Sequence, residues 1–504
     1  MNLWSRRDFL RDSAALAALG TGGLVTGLRA DEEASPKKEA KNANDTLNIA
    51  IIGVHGRGKD HVGGIAGKSG CHIATICDVD KAVIGEAMRR VESKQGKAPK
   101  YEQDLRRVMD DKSIDCVTIA TPNHWHSLAA IWAIQAGKHV YVEKPVSHNV
   151  SEGRRLVEVA RKYGKICQAG TQSRSNPGMI EAIEYVRSGK IGDVKLARGI
   201  CYKLRGSIGK VDGDQPIPKS IDYDLWCGPA PMEPLHRRNL HYDWHWFWNY
   251  GCGDLGNQGI HEMDKARWGL GKNELPQSVI SFGGRFGYID DGQTANTQVC
   301  IFNYGDSELI FEVRGLPSKS PYPFSMTKAT KKKEDVVAKV AKKLDTFVGN
   351  IFYGTKGIVV CPNYSSGIAY NLDGEVIKSF SGGGDHYGNF FDAVRANKPS
   401  LLHADVLEGH LSSALCHLGN VSYRLGTPQR FNTATKAFGD DKEAYETLAR
   451  TKEHLKDNSL AVDGLTYKLG RKLAIEGERF VGDSQADTYL TREYRKGFEV
   501  PAKV

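Results

Sequence analysis

From residue 47 onward the chain alternates short apolar runs with segments of helix length, and this alternation limits the folds open to it. Strand-like apolar runs occupy residues 47–53, 71–77, 115–120, 139–143 and 166–169. Helix-like segments begin near Gly58 and cover residues 80–95, 127–137 and 150–163. Strands that alternate with helices predict βαβ units, in which the strands lie parallel in one sheet.

The first predicted strand runs into a glycine-rich turn, Gly53-Val54-His55-Gly56-Arg57-Gly58. Glycines at such a turn let the backbone bend tightly and approach a pyrophosphate, which binds at the N-terminus of the next helix. His55 replaces the second glycine of the usual G-x-G-x-x-G pattern, although Gly56 lies beside it. The turn therefore predicts a dinucleotide-binding loop with an incomplete match to the pattern.

A carboxylate, Asp78, follows the second predicted strand. A carboxylate in this place accepts hydrogen bonds from both hydroxyls of an adenosine ribose and repels a 2′-phosphate. NAD is therefore favoured over NADP, while Arg57 and Lys59 keep NADP open. The structural alternative is that Asp78 caps a helix, a role that suits Asp80 better.

Three ordered motifs continue the pattern: TPNHWH at residues 121–126, AGKHVYVEKP at 136–145 and GNQGIHEMD at 256–264. Their order and spacing resemble the glucose–fructose oxidoreductase/inositol dehydrogenase (Gfo/Idh/MocA) family. Gln172-Ser173-Arg174 and Pro177 extend the resemblance. It is specific over residues 47–270 and looser over residues 271–504.

The resemblance implies an α/β fold with two domains. Residues 47–169 would form an N-terminal Rossmann domain with a parallel sheet. Residues 170–504 would form a C-terminal α+β domain that binds the substrate on a large, open, mostly antiparallel sheet. The exposed face of that sheet implies a homo-oligomer, a dimer or tetramer. Strand-like and helical patterns agree with this outline at residues 194–203, 278–284, 297–303, 308–314, 358–361, 386–396 and 406–425.

The resemblance also implies a nicotinamide cofactor and the residues that hold it. This set combines the glycine turn with the ends of the following strands: Gly53, His55, Gly56, Arg57, Gly58, Asp78, Thr121, Pro122, Asn123, His126, Glu143, Lys144 and Gln172.

Oxidation of a sugar or cyclitol alcohol needs a hydride acceptor, a base for the hydroxyl proton and a cation beside the developing alkoxide. Lys144 ends a predicted parallel strand, at the edge where such sheets bind ligands, and is the candidate cation. His261 is the candidate general acid/base, because imidazole titrates near neutral pH. Asn257 is the third catalytic candidate, but it stands where the family often has Asp, and an amide cannot carry the proton. A surface lysine and a core histidine are the structural alternatives.

An aromatic stretch, HYDWHWFWNY, occupies residues 241–250. Aromatic faces beside hydrogen-bonding groups suit carbohydrate rings, and core packing explains the same residues equally well. The predicted substrate-binding residues are Lys144, Lys203, Trp244, His245, Asn257 and His261. No metal is predicted, because the acidic and histidine residues of this region match no strong ligand spacing.

The N-terminus resembles a twin-arginine export signal, with Arg6-Arg7 before an apolar, glycine-rich stretch too short for a permanent membrane span. Residues 1–30 are therefore predicted to be a signal peptide and residues 31–46 a disordered linker. This implies the twin-arginine export machinery as a partner and a periplasmic or other extracytoplasmic location. A membrane anchor or a chance arginine pair is the alternative.

The net charge of +9 is modest for 504 residues. The lysine-rich run at residues 328–343 also carries acidic and apolar residues at helical spacing, which favours a solvated helix over a nucleic-acid site. The ten cysteines are scattered, several of them inside apolar runs, and are expected to be buried without forming disulfides or a zinc site.

The leading functional hypothesis is an NAD(P)-dependent oxidoreductase that moves hydride between a tightly bound cofactor and a carbohydrate or cyclitol CH–OH group. Tight binding is expected because free NAD is scarce outside the cytoplasm. The alternatives are an NAD-dependent glycosidase or epimerase-like enzyme that oxidises its sugar transiently, and a non-catalytic cofactor- or sugar-binding protein.

Overall fold

A computed structural model describes residues 46–318 and 347–504. The predicted signal peptide, nearly all of the predicted linker and the lysine-rich run at residues 328–343 lie outside the described residues. Within the described ranges, no helix has both the length and the apolar character needed to cross a bilayer.

The first part of the described chain forms a parallel sheet of six strands, ordered β3-β2-β1-β4-β5-β6. The strands are β1 (Leu47–Ile52), β2 (Cys71–Cys77), β3 (Lys100–Glu102), β4 (Cys116–Ile119), β5 (His139–Val142) and β6 (Cys167–Ala169). The order reverses between β1 and β4, and ligands of such sheets bind at the carboxyl ends of the strands near this point. The predicted parallel Rossmann sheet is confirmed, and β3 is an addition to it.

Five helices of the described chain accompany this sheet: α1 (Gly58–Ile65), α2 (Gly85–Gln95), α3 (Leu105–Asp110), α4 (His126–Gln135) and α5 (Val150–Lys162). Asn149 caps α5 by accepting a hydrogen bond from the backbone N–H of Glu152. The helix expected from residue 80 begins only at Gly85, and its N-cap Ile84 makes no side-chain capping bond. The helix-cap alternative for Asp78 and Asp80 is therefore wrong.

A second, mostly antiparallel sheet of twelve strands follows within the described residues. Its strands are β7 (Val194–Tyr202), β8 (Ser278–Gly284), β9 (Thr297–Asn303), β10 (Glu308–Arg314), β11 (Phe347–Gly354), β12 (Gly357–Cys361), β13 (Ser366–Asn371), β14 (Val376–Ser381), β15 (Thr427–Arg430), β16 (Thr466–Leu469), β17 (Leu473–Glu476) and β18 (Arg479–Phe480). β7 and β10 pair in parallel, and the other described pairs are antiparallel. This confirms the expected α/β fold class.

The helices of this part are α6 (Pro177–Arg187), α7 (Tyr223–Cys227), α8 (Ile260–Gly269), α9 (His386–Ala396), α10 (Val406–Arg424), α11 (Lys442–Asp457) and α12 (Ser484–Asp487). Helix α8 lies close to the sheet because glycines line the contact. A Cβ at Gly269 would lie 2.2 Å from the Phe352 ring, and one at Gly199 would lie 3.1 Å from the Cβ of Glu262. This close packing holds the first turn of α8 in place.

The later part of the chain returns to the parallel sheet. Phe390 and Phe391 of α9 share a buried cluster with Ile49 and Ile51 of β1, and Val406 of α10 shares another with Val142 of β5. The core beneath the first sheet therefore includes residues far beyond position 169, and the domain boundary predicted there stays a prediction. All ten cysteines are buried and unpaired, as expected of small core residues.

Candidate active site

The glycine turn after β1 is closely packed at both ends and open in the middle. Gly53 has φ 84°, and a Cβ there would lie 2.8 Å from the carbonyl oxygen of Ala120. A Cβ at Gly58 would lie 1.7 Å from the carbonyl oxygen of Gly53. A Cβ at Gly56, by contrast, meets nothing within 4 Å. The fold itself requires glycine at 53 and 58, while the backbone at Gly56 faces space in which a ligand has room.

Asp78 ties this turn to the end of β2. One of its carboxylate oxygens accepts from the backbone N–H of Val54 at 2.8 Å, and the other accepts from that of Asp80 at 3.0 Å. Burial raises the pKa of Asp78, while these two backbone donors oppose the rise. Each oxygen has a further lone pair with which it can accept a hydroxyl, so the position fits the predicted ribose contact.

Arg57 and Glu143 join the glycine turn to the end of β5. The buried Glu143 accepts from Arg57 Nε at 2.9 Å and lies 3.2 Å from His61 Nε2. Burial alone would raise the pKa of Glu143, but the Arg57 guanidinium holds it well below its usual range. Gln172 lies at the same guanidinium, and its amide oxygen accepts a hydrogen bond from Arg57 Nη2.

These pairings bear on the choice of cofactor. Arg57 also pairs with Asp60 at 3.0 Å, and Lys59 pairs with Glu86 at 2.5 Å. Arg57 and Lys59 are the two cations that could have bound the 2′-phosphate of NADP. Because both are paired with carboxylates, the structure favours NAD.

The TPN motif meets the EKP motif through His126. Its Nδ1 lies 2.6 Å from the carbonyl oxygen of Pro145, and its Nε2 lies 2.8 Å from that of Thr121. Both ring nitrogens thus face main-chain carbonyls, so His126 positions the two loops. In the same loop, Thr121 Oγ1 and Asn123 Oδ1 are buried and have no hydrogen-bond partner among the described residues. With Pro122 between them, these two residues present polar atoms that a ligand could satisfy.

Lys144 connects the parallel sheet to the segment before α8. Its Nζ donates a hydrogen bond to the carbonyl oxygen of Asn257 at 2.7 Å. Burial lowers the pKa of Lys144, and the neighbouring Glu143 carboxylate opposes that effect. The structure therefore brings together Lys144 and Asn257, two of the three predicted catalytic residues.

His261 lies in the first turn of α8, after a π-helical turn at Leu255–Gly259. Its side chain is 6% exposed, and its Nδ1 has no partner among the described residues. Burial, and then the charge of Lys144, hold the pKa of His261 well below 6.5, so the imidazole is neutral at neutral pH.

The two residues expected to share the face of His261 serve other contacts. Asn257 Nδ2 is directed at Asp254 Oδ1, at 3.4 Å. Asp264 is buried and accepts three hydrogen bonds from Arg174 at 2.9 to 3.0 Å. Helical spacing did not predict these two contacts. Asn257 lies in a π-helical turn, and the arginine that binds Asp264 is 90 residues away in the chain.

Two groups beside His261 were missed from the sequence. The Tyr364 ring centroid lies 5.1 Å from that of His261, and the Tyr364 hydroxyl accepts from Gln258 Nε2 at 2.5 Å. Burial raises the pKa of the fully enclosed Glu262 to about 7, although Lys265 lies 3.6 Å away. No local motif marks Tyr364, which follows β12 and reaches α8 only through the fold.

The aromatic stretch is mostly core. Trp244 is 7% exposed and packs in a buried cluster with Phe247 and Tyr250. His245 stacks on Trp244 with ring centroids 3.6 Å apart. Burial lowers the pKa of His245 to about 3. The Tyr242 carbonyl oxygen, which accepts from His245 Nδ1, opposes this effect, and the charge of Lys144 adds to it. Trp244 therefore supports His245, which lies near Lys144. Lys203, the residue after the last of β7, is exposed to solvent.

The same region also contacts the glycine turn. His241 Nε2 lies 2.8 Å from Asp80 Oδ2, and the His241 ring stacks on that of His55 at 4.2 Å. Nearby, Arg205 binds Asp254 through two hydrogen bonds of 2.9 and 2.7 Å. In the part of the chain that the structure describes, no three His, Cys, Asp or Glu side chains group as a metal site would require.

Two family models match this chain. Residues 47–171 match the Gfo/Idh/MocA oxidoreductase family, NAD-binding Rossmann fold, which identifies the parallel-sheet region as an NAD-binding domain. Residues 193–287 match the C-terminal alpha/beta domain of the same family. Both matches support the resemblance drawn from the motifs.

Curated relatives carry the name "Glycosyl hydrolase family 109 protein". The one from Saccharopolyspora erythraea is 32% identical over 209 residues, which cover 39% of this chain and 46% of the relative. The one from Shewanella pealeana is 31% identical over 225 residues, 41% of this chain and 48% of the relative. The chain thus spans about half the length of the curated relatives it matches.

Solved structures share the fold at low identity. The WlbA dehydrogenase from Bordetella pertussis, in complex with NADH and UDP-GlcNAcA, is 20% identical with a TM-score of 0.52, covering 75% of this chain and 97% of that one. A levoglucosan dehydrogenase in complex with NADH and levoglucosan is 18% identical with a TM-score of 0.52, covering 74% of this chain and 97% of that one.

Proposed function

We propose that this chain is a Gfo/Idh/MocA oxidoreductase that transfers hydride between a tightly bound NAD and a hydroxyl of a carbohydrate or cyclitol. The observation that carries the proposal is the contact of Lys144, at the carboxyl end of β5, with Asn257, in the segment that leads to His261. This contact joins the edge where a Rossmann sheet binds its cofactor to a candidate base. The matches to both domains of the family support the same assignment.

The residues around the glycine turn fit a dinucleotide. Gly56 leaves its backbone open to a pyrophosphate, Asp78 can accept the ribose hydroxyls, and Thr121 and Asn123 hold unpartnered polar atoms. A nicotinamide bound there supplies the hydride acceptor.

The residues of the chain then carry the proton and the charge. The neutral His261 imidazole accepts the hydroxyl proton. The Lys144 ammonium donates a hydrogen bond to the same oxygen and stabilises the alkoxide that develops there. In this proposal Asn257 orients the substrate, and Lys203 and His245 bind its other hydroxyls.

We also propose that the protein is exported by the twin-arginine route and keeps its cofactor. The contacts of His241 with Asp80 and His55 support retention, because they lay the segment before α8 against the glycine turn and hinder release of a dinucleotide. A homo-oligomer formed through the second sheet is part of this proposal. Val376 and Ile377 on its edge strand β14 are 59% and 48% exposed, which is consistent with a contact there.

The test is spectroscopy of the full chain purified without added cofactor. Bound nicotinamide is expected to change its absorbance when a sugar or cyclitol substrate is added. Lys144→Met and His261→Gln should each slow this change by about 100-fold or more. The matched controls Lys162→Met and His236→Gln alter exposed residues outside the site and should react like the unaltered chain. Unchanged rates in both site variants would contradict the assignment.

A second candidate, net hydrolysis of a glycoside with only transient oxidation of the sugar, is favoured by the glycosyl hydrolase name of the curated relatives. The two candidates differ in their products. Release of an aglycone from a chromogenic glycoside without net change in bound nicotinamide would select hydrolysis. A cofactor that binds but never changes its redox state with any sugar would instead indicate a non-catalytic binding protein.

A further inference from the structure

The segment at residues 492–498, called the strap below, follows α12 in the chain but packs on the parallel-sheet region. Its residue Phe498 is 5% exposed and shares a buried cluster with Ile119 of β4 and Leu128 of α4. Burial of a whole aromatic ring is a strong anchor for a short irregular segment. The strap therefore joins the later part of the chain to the region that we assign to the cofactor.

The anchor residue of the strap packs on the loop after β4. The Phe498 and Trp125 rings form a T-shaped pair with centroids 5.6 Å apart. Trp125 is 2% exposed and ends the short 3₁₀ turn that begins at Asn123. Asn123 is one of the residues proposed to bind the dinucleotide, so a single side chain separates the strap from the cofactor loop.

Trp125 is also held by the backbone of α7 and of the residue that follows it. Trp125 Nε1 donates to the carbonyl oxygen of Leu225 at 2.9 Å, and a Cβ at Gly228 would lie 2.2 Å from the Trp125 ring. The strap binds this backbone too, because Arg495 Nη1 donates to the carbonyl oxygens of Asp224 and Gly228 at 3.0 and 3.2 Å. The strap therefore restrains Trp125 both directly and through this backbone.

Two other strap residues bind the loop after β5 and the aromatic stretch. Arg492 Nη1 donates to the carbonyl oxygen of Asn249 and to His148 Nδ1, each at 3.1 Å. The Tyr494 hydroxyl donates to the buried Glu152 carboxylate in the first turn of α5 at 3.1 Å. His148 lies between the EKP motif and α5, so these bonds hold the loop that follows the motif.

We propose that the strap is a positioning element for the cofactor: it holds the loops after β4 and β5 in the arrangement that receives NAD, and so slows NAD release. A loop that is already ordered loses less conformational entropy when its ligand binds, which strengthens binding. The strap acts through Trp125 and His148 and not by touching the cofactor. This inference rests on the proposed binding of NAD.

The first test is hydrogen exchange of the full chain without cofactor, at a temperature well below unfolding. Phe498→Ala removes the ring beside Trp125, so backbone amides of residues 121–126 should exchange about tenfold faster. The matched control, Phe438→Ala, removes a ring that is also 5% exposed, from a separate cluster on the second sheet. It should destabilise the chain to a similar extent while exchange at residues 121–126 stays unaltered.

The second test is the rate at which NAD leaves the loaded chain. Phe498→Ala and the milder Arg492→Gln should each release NAD about tenfold faster than the unaltered chain. Phe438→Ala and Arg479→Gln, which alters an exposed residue of β18, should release it at the unaltered rate.

The outcomes separate this inference from the proposed function. An unaltered chain that binds no NAD would refute the proposed function, and with it a role of the strap in NAD release. If NAD binds, the strap is refuted by unaltered exchange at residues 121–126 in Phe498→Ala, by unaltered release in both strap variants, or by equal changes in the control variants.

Discussion

Two glycines of the turn after β1 are expected to respond to alanine in opposite ways. A Cβ at Gly58 would lie 1.7 Å from the carbonyl oxygen of Gly53, whereas an ordinary carbon–oxygen contact is about 3.3 Å. The turn would have to open by roughly 1.5 Å, and overpacking of that severity costs about 3 kcal/mol or more. At Gly56 a Cβ meets nothing within 4 Å, so Gly56→Ala should change the free energy of unfolding by less than about 0.5 kcal/mol.

The effects on cofactor binding complete the comparison. The methyl group of Gly56→Ala would enter the space left for a pyrophosphate, so NAD affinity should fall by about tenfold, or about 1.4 kcal/mol. Urea unfolding of the cofactor-free chain, followed by titration with NAD, measures both quantities. An unaltered unfolding midpoint in Gly58→Ala, or an unaltered NAD affinity in Gly56→Ala, would contradict these expectations.

Three more predictions concern charged groups. Because the pKa of His261 lies well below 6.5, kcat/KM should stay level between about pH 6 and 8; a fall centred on pH 6.5 in the rate profile would contradict this. Glu143→Gln should lower the free energy of unfolding by about 1–3 kcal/mol, discounted because Arg57 is partly exposed. The folded-state pKa of Glu143 is depressed, so its stabilisation is present above about pH 4.5 and is lost as the pH falls through the folded value. Urea unfolding at several pH values measures this loss. A difference in the free energy of unfolding between the unaltered chain and Glu143→Gln that stays constant with pH would refute it. Asp264→Asn should cost about 1–3 kcal/mol, because the buried Arg174 loses one of its two carboxylate partners and keeps Glu408. The folded fraction should keep its kcat/KM, and a large loss of rate at unchanged stability would assign Asp264 to the chemistry instead.

The parallel sheet could be predicted because its signals are local. The runs of β1, β2 and β5 are predominantly apolar, since both faces of a Rossmann sheet are covered. The glycines at 53 and 58 mark a turn that only glycine can make. Strand β3 was missed because a run of three residues carries no clear pattern, and β14 was missed because an edge strand with a single buried residue has little apolar alternation to detect.

The candidate site could be predicted only in part. Lys144 was found because a motif places it at the end of a strand, and His261 because a motif surrounds it. The neighbours of His261 could not be found in this way. Helical spacing placed Asn257 and Asp264 on its face, but Asn257 is directed at Asp254 and Asp264 is bound by Arg174.

The amino-acid sequence by itself therefore determined most strands and helices of the parallel sheet and which side chains follow its strands at the ligand-binding edge, because those properties follow from periodicity, glycine and strand direction. Only the tertiary structure decided which of those side chains are left free. Burial makes an unpaired polar group costly, so each one takes whatever partner the packing supplies, however distant in the chain. That is why His126 contacts main-chain carbonyls and why Tyr364 packs on His261.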